Sequence, residues 1–145
     1  MNPEKANAFN REVTIRFRAQ KGSGPLGEEL PFNADGLLLL THVGARTGTR
    51  RTNPLGFLVL DDGRLFVVAS FLGAARNPDW YHNVRAHPEV AVELGDDSFA
   101  ANAVVVEGEE YHRLFEEAAG QWPFLDDHQA KTERRIPLVE LVRQD

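Results

Sequence analysis

The chain has 145 residues, 16 of them basic and 22 acidic, for a net charge of −6, and it contains no cysteine. That length is enough for one domain to bury about two-thirds of its unfolded surface, and the absence of thiols excludes a disulfide scaffold, zinc–thiolate sites and thiol catalysis. No apolar run approaches the ~20 residues of a membrane-spanning helix, and no charged-then-apolar leader opens the chain, so the expectation is a soluble, cytoplasmic protein.

Asn2-Pro3-Glu4 reads as a helix start, with a cap, a first-turn proline and an acid against the dipole. Phe9, Val13 and Phe17 then recur at i, i+4 and i+8 as one apolar stripe flanked by Arg11, Arg16 and Arg18. Over residues 1–21 five basic side chains face two acidic ones, so this segment is +3 in an acidic protein. It is expected as an amphipathic helical arm packed on the core, with peripheral contact to an anionic membrane as the second reading. Residues 22–145 are expected as a single domain. Gly22-Ser23-Gly24-Pro25-Leu26-Gly27 breaks the chain and spells G-x-G-x-x-G, but no strand precedes it and no helix follows, so a dinucleotide-binding fold is set aside.

From residue 36 the pattern becomes that of strands, at 37–43, 52–60 and 65–70, the last two joined by the turn Asp61-Asp62-Gly63. Asn77-Pro78-Asp79 repeats the cap, proline and acid signature and starts a short helix through Trp80 and Asn83 that stops near Pro88. A second hairpin follows, 90–94 and 99–106 around Gly95-Asp96-Asp97. Then come an amphipathic helix at 109–121, a short helix after Pro123 and a last strand at 136–142. Six short strands with helices inserted late argue for an α+β fold built on a small closed or split β-barrel.

The chemistry concentrates between the first two strands. Gly36 to Leu60 is 25 residues without one Asp or Glu, yet it carries Arg46, Arg50 and Arg51 around Gly44 and Gly48, with Thr47 and Thr49 between them. Glycines let backbone N–H groups approach a ligand and guanidinium forks suit phosphate or carboxylate, so this loop reads as an anion site. An ordinary solvated hairpin would share its composition. Three residues apart on the short helix, Trp80 and Asn83 share a face that suits a flat polar ring, although Trp80 and Tyr81 read equally well as barrel plugs. No nucleophile elbow surrounds Ser23, Ser70 or Ser98, the paired acids sit where solvated charge explains them, and the five histidines lack metal-ligand spacing. A binding constellation without an acid–base pair describes a place for a cofactor that brings its own chemistry. Single-stranded nucleic acid is disfavoured by the acidic charge and by the lack of a stacking aromatic in the Arg loop.

Several segments in order, namely 38–41, 44–55, Val68-Ala69-Ser70, Gly73-Ala74, Asn77-Pro78-Asp79-Trp80-Tyr81-His82-Asn83, Ala86-His87-Pro88 and Arg135-Ile136-Pro137-Leu138, resemble the deazaflavin-dependent nitroreductase family. This is the actinobacterial group of coenzyme F(420)-dependent reductases on a split β-barrel like that of flavin-binding pyridoxine phosphate oxidases. The resemblance implies that Arg46 and Arg51, with Thr47, Gly48, Arg50, Asn53 and Pro54, hold the cofactor's phosphodiester and glutamyl tail. It also implies that Ser70, Ala74, Asn77, Trp80 and Asn83 lie along the deazaflavin. Where the family often has two adjacent basic residues after the first loop glycine, this chain has Ala45 before Arg46, and Arg50 is the candidate to supply the missing charge. Near Pro123, where tyrosines often line the substrate side, it has Trp122, Phe124, Leu125 and His128.

The implied activity is hydride transfer from reduced F(420) to an electron-poor acceptor, a quinone before a nitroaromatic. FMN as cofactor, or a non-enzymatic deazaflavin carrier, are the alternatives. Tyr81 and His128 are candidate proton donors between which, and water, the sequence does not choose. Oligomeric state is left open.

Overall fold

The computed structural model describes residues 3–27, 33–61, 63–70 and 73–144, and side chains from residue 8 onward. Helix α1 (Pro3–Ala19) precedes β1 (Leu37–Val43), β2 (Arg50–Leu60) and β3 (Arg64–Val68). Then follow α2 (Asp79–Ala86), β4 (Glu89–Leu94), β5 (Asp97–Val105), α3 (Glu109–Gln121), α4 (Phe124–Ala130) and β6 (Leu138–Arg143). All strand pairs are antiparallel, and the ring β1-β2-β3-β6-β5-β4 closes through a β1–β4 seam of three residue pairs, Leu39–Thr41 against Glu93–Ala91. The expected six-stranded split-barrel architecture is therefore present. Asn2, the expected first cap, lies outside the described residues.

Side-chain alternation sorts each strand into two faces. Inward, Leu38 and Leu40 on β1, Val67 on β3, Val90 and Val92 on β4, Ala101 and Ala103 on β5 and Val139 and Leu141 on β6 fill the barrel. Trp80, Tyr81 and Val84 of α2 plug it at one end. Outward, Leu58, Leu60, Phe66 and Leu138 are covered by Tyr111, Leu114 and Ala118 of α3 and Leu125 of α4. Val13 and Phe17 of α1, joined by Leu26 and Ala34, cover Leu39. The stripe on α1 thus packs on the barrel, tied down by the Arg18 guanidinium donating to both Glu93 oxygens (3.0 and 2.8 Å) and by Arg16 donating to the Leu26 carbonyl (2.8 Å). No described helix is long and apolar enough to cross a membrane.

Several boundaries depart from the sequence pattern, among them those of β2, β3, β6 and α2. Strand β2 starts at Arg50, since pairing to β1 runs on through His42–Arg51 and Val43–Arg50. Ser70 falls beyond the end of β3 and Ile136 before the start of β6, although the Ala69 N–H still donates to the Pro137 carbonyl (3.0 Å). At α2 the capping position is taken by Pro78 in an extended conformation, because the Asn77 side chain accepts a hydrogen bond from Arg134 instead (2.8 Å). Acids expected as merely solvated charge are partly structural. Arg64 pairs with Asp61, Glu110 and Glu140 (2.9, 2.6 and 2.8 Å), and Arg113 also reaches Asp61 (3.2 Å). These cations hold the Asp61 carboxyl below the usual carboxylate range, Arg64 contributing most, and they fasten the β2–β3 turn to α3 and β6.

Candidate functional site

Because every strand pair in the ring is antiparallel, the connections that leave β1, β3 and β5 share one end. The β1–β2 loop, the β3–α2 loop, helix α2 and the segment entering β6 therefore meet at one end, and the ion-pair network holds the other. Arg46, the Ser70 loop, Asn83 and the α4–β6 connection are gathered there from separated parts of the sequence.

The basic loop is folded on its own hydrogen bonds. The Gly44 N–H donates to the Thr49 carbonyl (2.8 Å), the Gly48 N–H to the Gly44 carbonyl (2.9 Å) and the Thr49 N–H to Thr47 Oγ1 (3.2 Å). Arg46, Thr47, Gly48, Arg50 and Arg51 are all exposed. Among the described residues none of the three guanidiniums has a carboxylate partner, in a protein where Arg16, Arg18, Arg64, Arg76, Arg113 and Arg143 each do. Strand alternation directs Arg50, with Thr52, Pro54 and Gly56, to the outer face of β2. Arg51, with Asn53, Leu55 and Phe57, belongs to the inner face. Beside the loop an open depression of about 270 Å³ lies between β1 and β4, lined by Thr41, His42, Arg50 and Glu89 among others.

Asn83 fixes that loop to α2, its Oδ1 accepting from the Ala45 N–H (2.9 Å). Its Nδ2 meets His42 Nδ1 (3.1 Å), and His42 Nε2 meets Asn53 Oδ1 (2.7 Å). Asn83 is 7% exposed and both ends of its amide are engaged inside the protein, so its place in this structure is between the loop and the barrel. Trp80, at 6% exposure, belongs to the barrel cluster. Tyr81 is buried in the same cluster with its ring edge-on to His82 and the Arg85 guanidinium 5.7 Å from its centroid.

The polar pair that does form is Ser70 with His128. Ser70 Oγ lies 2.5 Å from His128 Nδ1, across 58 residues of sequence. The contact depends on Gly73, where φ is +75° and a Cβ would stand 2.6 Å from the His128 carbonyl oxygen, so only glycine lets α4 settle on this loop. Arg134 holds the loop from below. Its guanidinium donates to the carbonyls of Ala69 (3.1 Å), Ser70 (2.5 Å) and Ala74 (2.7 Å) as well as to Asn77. Desolvation draws its pKa below the usual arginine value, yet no described carboxylate neutralises it. Gln129 braces the same connection by donating to the Arg134 carbonyl (2.7 Å) and accepting from the Ile136 N–H (3.0 Å).

An apolar wall adjoins this pair. Trp122 stacks on Phe124 (centroids 5.4 Å apart), and Phe124 packs against His128 (5.1 Å). The indole lies so close to β2 that a Cβ on Gly56 would stand 3.0 Å from its Cη2. Phe124 remains 45% exposed. Leu125, expected in this wall, is fully buried beneath α3 and α4 because the helical turn that exposes Phe124 sends the next side chain inward; its side chain gives a ligand no surface here. Above β3's pairing with Phe57–Leu60, the earlier part of β2 has no ladder on that side, and Pro54, which has no N–H to leave unpaired, lies in that open stretch.

A long polyanion joined to a flat ring fits these residues. The unpaired guanidiniums suit phosphodiester and carboxylate groups, the loop is folded in advance of any ligand, and Gly48 faces open space. Sequence reading singles out the Arg loop, Ser70 and His128, but not His42, which joins the loop's hydrogen-bond network, nor Arg134 and Gln129, which brace the segments beside Ser70 and Ile136. Only a pair of adjacent arginines ahead of Ile136 hinted at Arg134.

Comparison with known proteins gives the same direction. The F420H(2)-dependent quinone reductase family matches residues 9–143. The F420H(2)-dependent quinone reductase Rv1261c of Mycobacterium tuberculosis is 34% identical over 128 residues, covering 84% of this chain and 83% of the relative. A solved F420-H2 dependent reductase (FDR-A) aligns at 36% identity with a TM-score of 0.64, over 73% of this chain and 93% of its own. A further structure, described as a domain-swapped dimer, aligns at 33% identity with a TM-score of 0.67, over 90% and 95%. With its barrel, its carboxylate-free arginine loop and a match over nearly its whole length, the chain belongs to the F420H(2)-dependent quinone reductase family and thereby to the oxidoreductases that take reduced F(420) as cofactor.

Proposed function

We propose that this protein passes a hydride from reduced F(420) to a quinone. The observation that carries the reading is the juxtaposition, at one barrel end, of three guanidiniums without acidic partners among the described residues and an aromatic wall beside a Ser–His pair. Arg46, Arg50 and Arg51 hold the phosphodiester and glutamyl tail, with Thr47 and the loop N–H groups adding donors. The Ser70 loop, Ala74 and Trp80 border the ring, while Asn53, Asn77 and Asn83 act from behind by fixing the elements that carry those contacts. When bound, the cofactor supplies the hydride from its C5. The chain orients the acceptor against the stacked Trp122–Phe124 wall, limits water there, and offers a proton from the Ser70 Oγ–His128 pair to the oxygen on which negative charge grows. Arg134, a buried-side cation directly behind that pair, adds positive potential at the same place.

A flat apolar quinone suits a wall of indole and phenyl rings better than a bulky, polar nitroimidazole does. Membrane-dissolved quinone would be approached through the outer side of α1, where Ile15 is 62% exposed and Arg11 lies one turn away on the same face. Steady-state oxidation of reduced F(420) tests the proposal with a menaquinone analogue, free and in anionic vesicles, beside a nitroimidazole. The expected result is turnover with the quinone, an advantage in kcat/KM over the nitroimidazole of at least about tenfold, and cosedimentation with the vesicles. Tight retention of FMN without a deazaflavin response, or F(420) binding without quinone turnover, would replace this function with the flavoprotein or carrier reading.

A further inference from the structure

We propose that His42 is a positioning residue: neutral, with its proton on Nε2, it locks the basic loop onto α2, and its protonation releases the lock. The inference rests on the reading that this loop holds the cofactor's anionic tail.

The hydrogen-bond directions follow from the one donor that cannot be reassigned. The Ala45 backbone N–H points at the Asn83 amide (2.9 Å), so the oxygen of that amide faces Ala45 and its nitrogen faces His42. An amide NH₂ only donates, so His42 Nδ1 at 3.1 Å accepts and carries no proton. The ring proton is then on Nε2 and is donated to Asn53 Oδ1 at 2.7 Å. One imidazole thus joins β1, β2, α2 and the loop in a chain with every member satisfied, and it is 1% exposed.

Adding a proton to Nδ1 sets two donors face to face. If the Asn83 amide rotates to offer its oxygen to the imidazolium, its NH₂ then confronts the Ala45 N–H, so one contact is lost either way. At this burial no solvent replaces it. The charged surroundings act in the same direction. Arg51 is the cross-strand partner of His42 and repels an imidazolium, Asn53 and Asn83 are uncharged, and Arg50 and Glu89 border the depression beside the ring without a recorded hydrogen bond to it. Burial foremost, and Arg51 in addition, outweigh the hydrogen bond to Asn53 and hold the His42 pKa below its ordinary 6.5. With the folded-state pKa depressed, the stabilisation is complete above about pH 6.5 and is lost as pH falls through the folded value. The released element is the turn that carries Arg46, so acid weakens tail binding before the barrel unfolds.

The test has one arm without cofactor and one with it. In the apoprotein, nitrogen–proton correlation spectra of the imidazole at pH 7 should show a protonated Nε2 and a bare Nδ1. The Ala45 amide should be protected from exchange at pH 7 and lose protection as His42 titrates below 6.5. In F(420) fluorescence titrations the wild-type Kd should rise on the order of tenfold between pH 7 and the acid side of the His42 titration followed in the same protein, the loss of a buried hydrogen-bonded contact. Asn83→Asp should flatten or reverse that trend, because a carboxylate accepts from both Ala45 and a protonated Nδ1; any titration of the ligand is common to both proteins and cancels in their ratio. Asn83→Leu should bind weakly at every pH. A protonated Nδ1, an ordinary titration of the ring, or equal acid profiles for wild type and Asn83→Asp would overturn the proposal. Absence of F(420) binding at all pH values would defeat the cofactor reading of the loop, while the imidazole spectrum and Ala45 exchange would still decide the role of His42.

Discussion

Arg51→Ala and Arg46→Ala are each expected to weaken F(420) binding by about 1.5 to 3 kcal/mol, roughly 10- to 150-fold in Kd, the range for a charge-assisted hydrogen bond. Both side chains are exposed and neither has an ion-pair partner among the described residues, so thermal stability should stay close to that of the wild type. Each variant should also flatten the salt dependence of binding, because one cation fewer faces the tail. Arg51→Ala carries a second consequence. It removes the repulsion felt by His42 across the β1–β2 pair, so acid weakening should begin at a higher pH in this variant than in Arg46→Ala. Fluorescence titration against salt and pH reads all of these. Unchanged affinity in both variants would mean that the loop is a solvated hairpin and that the tail is held elsewhere.

Arg134→Leu should be the more damaging change to the fold. It removes donors from the carbonyls of Ala69, Ser70 and Ala74 and from Asn77 at once; of these only the Ser70 carbonyl keeps another described donor, the Gly73 N–H at 3.0 Å. Hydrogen bonds to a charged group are worth about 1.5–3 kcal/mol each and are not additive, so a total loss of about 3–4 kcal/mol is expected. For a protein of this size that lowers Tm by roughly 6–15 °C. Arg134→Lys should recover only part of it, since one ammonium cannot span four acceptors as a planar fork does. Quinone turnover should fall even at temperatures where the variant is folded, because Ser70 and its contact with His128 ride on this loop. Wild-type melting of Arg134→Leu would show that the 69–77 loop is held by its own turns and by α4 alone.

Local patterns in the sequence determined much of this protein. Two-residue alternation marks the strands, a proline and an acid after Asn77 start α2, Gly95-Asp96 turns β4 into β5, and a stretch free of acids singles out Arg46, Arg50 and Arg51. All of these are properties of residues a few positions apart, where backbone geometry and chain chemistry act directly. Tertiary structure decided the rest. It buried Leu125 while exposing its neighbour Phe124, and it turned the Asn77 side chain from a cap into an acceptor for Arg134. It drew Ser70 to His128 over 58 residues and Asn83 to Ala45 over 38. These contacts depend on which strand ends share a rim of the barrel and on which side chains lose water when α2 and α4 dock there. Neither strand order nor desolvation is written in the spacing of residues along the chain, because both arise only when the ring of strands closes.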